Sequence, residues 1–62
     1  MTMQASELRE LRRRMGLTQE QLAQEIGMSR KTINAMELGK SVIERRTELA
    51  VRYLEHLGAS KA

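Results

Sequence analysis

At 62 residues the chain can form one small domain, burying only about 60% of its unfolded surface, and its formal net charge is +3. Cysteine is absent and no apolar stretch is long enough for a bilayer span or a signal peptide, which excludes disulfide frameworks, thiolate metal sites and membrane helices. Tyr53 is the sole aromatic residue, too little for a base-stacking platform, and so small a core lacks the walls of a deep small-molecule pocket.

Residues 1–5 and 58–62 read as flexible tails around a domain over 6–57. Leu8, Leu11 and Met15 recur at i, i+3, i+7 after Ser6, an N-cap candidate, which predicts a first helix that Gly16 stops. Thr18-Gln19-Glu20-Gln21 has the form of a capping box and opens a second helix, with Leu22, Ala23 and Ile26 inward and Gly27 at its end. Ser29 caps a third, short helix in which Ile33 and Met36 face inward and Gly39 follows the last turn. The fourth helix carries a broad apolar stripe, Leu49, Ala50, Tyr53, Leu54 and Leu57. Its start falls between 42 and 48, because Ser41 with Glu44 forms one capping box and Thr47 offers a second cap. Four such helices, five at most, make a small all-α bundle.

Only Gly27-Met28-Ser29 separates the second and third helices. A link that short cannot lay two helices side by side, so they cross steeply, with Gly27 supplying a left-handed backbone and Ala23 the small side chain at the crossing. Gln19, Ala23, Gly27 and Ile33 together specify one geometry, a helix-turn-helix, against the plainer alternative of a generic αα-corner in a helical bundle. From Leu8 to Leu57 the chain resembles the Cro/phage-repressor-type, XRE-like helix-turn-helix regulators, whose domain is lambda-repressor-like. The resemblance is carried by Leu11-Arg12, Gly16-Leu17-Thr18-Gln19-Glu20-Gln21-Leu22-Ala23, Ile26-Gly27-Met28-Ser29, Ile33 and Glu37-Leu38-Gly39-Lys40. It implies a cytoplasmic, bacterial or phage-encoded regulator, a repressor of phage or antitoxin type, that binds a pseudo-palindromic operator in double-stranded DNA as a homodimer. The Pro that many members place after the Gly-Lys pair is missing.

The third helix supports this reading without the family. The N-terminal end of a helix carries roughly half a positive charge, so stability alone would place a carboxylate there. Its first turn is instead Arg30-Lys31-Thr32, where dipole, amides and cations together favour an incoming anion such as phosphate. Arg30, Lys31, Asn34 and Ala35 point outward as base-reading candidates: Arg and Lys suit guanine, Asn suits adenine, and Ala35 can pack on a thymine methyl. The resemblance assigns base reading to the positions of Arg30, Lys31 and Asn34, a phosphate clamp to Gln19, and a structural ion pair to Arg12 with Glu37. Lys40, Ser41, Arg45 and Arg46, in the loop after the reading helix, join Ser29 and Thr32 as phosphate-contact candidates.

Other functions are poorly supported. His56 has no second ligand at metal spacing, so neither a metal site nor an acid–base dyad is expected, and no cofactor or catalytic residue is assigned. Met15, Met28 and Met36 read as core filling and Met1 and Met3 as tail. Glu44, Glu48 and Glu55 break any basic membrane-binding face. Tyr53, Leu54 and Leu57 are the candidates for a homodimer contact. The competing reading is a helix-turn-helix module that docks a protein, such as a cognate toxin.

Overall fold

The computed structural model describes residues 3–61; Met1, Thr2 and Ala62, the outer parts of the two expected tails, lie outside the described residues. Four helices follow in order, α1 Ala5–Arg14, α2 Gln19–Ile26, α3 Arg30–Glu37 and α4 Arg45–Lys61, with no strand among the described residues. Helix α3 packs on α1 and α2, and α4 packs on the same two. Each helix sends one fully buried side chain to the centre: Leu8, Leu22, Ile33 and Val51. Burying an aliphatic side chain of this size stabilises the fold by about 1.5–3 kcal/mol each, before the entropy of ordering the chain is charged against it.

The turn between α2 and α3 follows from Gly27. Its φ of +71° is left-handed, and the amides of Gly27 and Met28 both donate to the Ala23 carbonyl, the latter at 2.8 Å. A Cβ at Gly27 would meet nothing within 4 Å, so the requirement is for the backbone conformation and not for space. Ala23, buried on α2, keeps the crossing close.

Both ends of the domain are longer than expected. Met3, assigned to the tail, is buried in the core, and α1 starts at Ala5 behind Gln4, whose amide donates to Glu7 Oε1 at 3.0 Å. Ser6 is therefore inside the helix and caps nothing. Gly58, assigned to the second tail, lies within α4. That helix begins at Arg45, so neither Ser41 nor Thr47 is its cap; Thr47 is buried in the first turn, and Arg45 and Arg46 are helical rather than in a loop.

The inward face of α4 also differs. Val51 is its buried centre, with Thr47 four residues before and Leu54 three after, whereas Leu49 and Tyr53 are mostly exposed and Leu57 is partly so. The expected stripe consists of apolar residues alone. The core instead takes a stripe one of whose members, Thr47, is classed as polar. Ile43, just before α4, completes the core.

Candidate nucleic-acid interface

Ser29 starts α3 with an extended backbone, φ −90° and ψ 154°, and its hydroxyl accepts from the Thr32 amide at 3.2 Å. The same hydroxyl lies 2.9 Å from Thr32 Oγ1. The cap therefore holds both Ser29 and Thr32 at the helix start, while the amides of Arg30 and Lys31 point beyond it without an intrahelical acceptor. Ile33, Met36 and Glu37 are buried, which turns Arg30, Lys31, Thr32 and Asn34 to solvent and leaves Ala35 half-buried between the two faces.

Glu37 is the fixed point behind that surface. Its side chain is only 2% exposed, and it accepts from Arg12 Nε at 2.6 Å and from Arg12 Nη2 at 3.0 Å. Arg12 also donates through Nη1 to the Leu17 carbonyl at 2.9 Å, so one guanidinium joins α1, the following turn and the end of α3. Burial pushes the Glu37 carboxyl pKa up, but the hydrogen bonds from Arg12 and Gln19 and the charges of Arg12 and Arg9 outweigh it and hold the group below its ordinary value. The hydrogen bond to Glu37 raises the Arg12 pKa against the effect of burial.

Arg9 belongs to the same brace, and sequence reasoning passed over it. It donates to the Glu37 backbone carbonyl at 3.0 Å and lies 3.9 Å from the carboxylate. The available signal was spacing: Arg9 is one helical turn before Arg12, on the same face. Gln19 is also drawn inward. Its Nε2 donates to Glu37 Oε1 at 3.2 Å and to Asn34 Oδ1 at 3.3 Å, so the side-chain donors expected on a phosphate are engaged within the protein.

Arg13 is exposed without a carboxylate partner among the described residues, but the other α1 arginines and Arg52 of α4 are paired. On α1 and the body of α4, Arg14 pairs with Glu55 at 3.5 Å and Arg52 with Glu48 at 3.1 Å and Glu7 at 3.7 Å. Between residues 30 and 45, by contrast, Arg30, Lys31, Lys40 and Arg45 are all exposed, and none has a carboxylate partner among the described residues. Arg46 is paired with Glu44 at 3.0 Å, in a fully solvated setting where such a bond is weak. Ser41 is exposed beside Lys40. The structure thus gathers Arg30, Lys31 and Asn34 on one outward face of α3.

No helix among the described residues is long and apolar enough to cross a membrane. A family model described as a helix-turn-helix domain matches residues 5–62. A stretch of 33 residues, 53% of the chain, is 52% identical to an uncharacterized HTH-type transcriptional regulator of Methanothermobacter thermautotrophicus and covers 48% of that protein. The chain therefore spans about half the length of the curated relative it matches. With the family matched from α1 to the last residue, the chain belongs to the XRE-like helix-turn-helix domains.

Proposed function

We propose that this domain binds double-stranded DNA sequence-specifically, with α3 in the major groove, and regulates transcription as a repressor of phage or antitoxin type. The observation that carries the reading is the exposed, unpartnered Arg30-Lys31 corner at the positive end of α3, where helix stability alone would call for a carboxylate. Arg30, Lys31 and Asn34 read base edges, with Ala35 close enough to meet a thymine methyl. Lys40, Arg45 and Arg46 neutralise phosphates, assisted by the hydroxyls of Ser29, Thr32 and Ser41. At the start of α2 the backbone amides, rather than the Gln19 side chain, are the donors left for a phosphate.

Two copies on a pseudo-palindrome give the exposed apolar stripe of α4 a role. Leu49, Tyr53 and Leu57 follow i, i+4, i+8 on α4, away from the buried Val51, and Tyr53 is 63% exposed. This stripe serves the homodimer contact; Leu54 of the expected set packs on the core instead.

Fluorescence anisotropy with duplex DNA at several salt concentrations tests the reading. Three phosphate-neutralising cations per protomer make about six in a dimer, which gives a log–log slope of affinity against salt near −5. Selection from a random duplex library then returns two half-sites about 10 bp apart or a multiple of it. A slope near zero sinks this reading and favours the protein-docking alternative.

A further inference from the structure

The amide of Asn34 is held at one end by a neighbouring side chain. Its Oδ1 accepts from Gln19 Nε2 at 3.3 Å, and the same nitrogen donates to Glu37 Oε1 at 3.2 Å. An ionised carboxylate can only accept, and this one is kept ionised by Arg12, so Gln19 has to present its NH2 group to Glu37 and not its carbonyl. Both Gln19 hydrogens are then engaged, one by each neighbour. The second is taken up by Asn34, which places Oδ1 inward and its own NH2 outward. A charge on α1 thereby sets, through two intervening side chains, which end of an amide faces out from α3.

We infer that Gln19 is a specificity-determining positioning residue: through the chain Arg12–Glu37–Gln19 it holds Asn34 as a hydrogen-bond donor toward the DNA. The inference rests on the DNA-binding reading and refines it. A free Asn pairs with adenine by using both ends of its amide, the carbonyl on N6–H and the NH2 on N7. With Oδ1 turned back to Gln19, Asn34 offers only donors. The edge that suits it is guanine, whose N7 and O6 both accept, while cytosine offers a donor and is rejected.

The test is selection from a random duplex library with the unmodified protein, Gln19→Ala, Asn34→Ala and the double variant. Gln19→Met, which keeps length but has no donor, guards against loss of packing at the start of α2. The base pair facing Asn34 is the one whose preference disappears in Asn34→Ala. There the unmodified protein favours guanine over adenine by roughly tenfold. In Gln19→Ala and Gln19→Met this ratio falls to near parity or turns toward adenine, with preferences elsewhere unchanged. The double variant selects the same sequences as Asn34→Ala, because the chain ends at Asn34.

Adenine preferred at that pair by the unmodified protein overturns the inference. So does a Gln19→Ala variant that loses affinity equally for all sequences, or one whose altered preference persists without Asn34. If the unmodified protein selects no duplex at all, the DNA-binding reading itself falls; a clear operator unaffected by Gln19→Ala removes the inference alone.

Discussion

Helices α2 and α3 are each eight residues long and start in the same way, yet their first turns carry opposite charge. Thr18 and Ser29 both have extended backbones, and both hydroxyls accept from the third residue of the helix, at 3.1 and 3.2 Å. In α2 the cap is reciprocal, with Gln21 Oε1 accepting from the Thr18 amide at 2.8 Å, and Glu20 complements the dipole. In α3 the reciprocal bond is absent and the first turn holds Arg30 and Lys31. Since a hydroxyl already caps α3, its cations are not needed to start the helix. They work against it, which is the behaviour expected of side chains kept for an external anion.

The sharpest way to break this comparison is to give α3 the charge of α2. In Arg30→Glu with Lys31→Glu, affinity for operator DNA falls by about 2–6 kcal/mol, taking each base contact at about 1–3. Thermal stability moves the other way, rising by about 0.3–1 kcal/mol per site as the carboxylates meet the helix dipole. Opposite signs in the two measurements are the signature. If both fall together, or if DNA affinity is unchanged, the corner is structural and the contrast with α2 carries no functional meaning.

Glu37 provides the next largest effect, because it holds the end of α3 against α1. Glu37→Gln leaves the Arg12 guanidinium, 14% exposed, without its counter-charge and costs about 3 kcal/mol in chemical denaturation. Glu20→Gln at the exposed start of α2 costs only about 0.3–1 kcal/mol. The pair also predicts an acid sensitivity. The unfolded carboxyl titrates at its ordinary value of 4.5 and the folded one lower, so between the two the unfolded chain binds more protons. Stability from Glu37 is therefore complete above that ordinary value and is lost as pH falls through the folded one. Glu37→Gln flattens this part of the stability profile; an unchanged acid limb shows that another carboxylate carries it.

Much of this was readable in the residues because it rests on local rules. The Thr18 and Ser29 caps, the Gly27 turn and the inward Leu22, Ala23, Ile33 and Met36 each follow from spacing within a few positions. The meeting of Arg12 with Glu37 came from resemblance, since residues 25 positions apart announce nothing to each other locally. What escaped has the same origin. Met3 is apolar but isolated, and only the tertiary fold gives it a place to bury. Val51 and Thr47 were hidden by the louder stripe of Leu49, Tyr53 and Leu57, which helical periodicity alone cannot orient toward or away from the core. The resemblance gives Gln19 a phosphate to clamp, whereas its double hydrogen bond depends on two acceptors that α3 brings to it and that no local spacing announces.

The smallest effect separates capping from contact. Thr18→Ala and Ser29→Ala each remove one hydroxyl cap and each cost about 1 kcal/mol of folding stability. The two caps share no partner, so the double variant loses about the sum, within roughly 0.5 kcal/mol. On DNA the two should part company. Ser29 sits beside Arg30 and Lys31 and has been assigned a phosphate contact, so Ser29→Ala lowers affinity to a similar degree for every operator sequence, once the folded fraction is held equal. Thr18→Ala leaves affinity unchanged at equal folded fraction, because the hydroxyl it removes serves α2 alone. Equal losses of affinity from both would mean that the starts of the two helices lie equally close to the DNA, and that charge rather than contact is what distinguishes them.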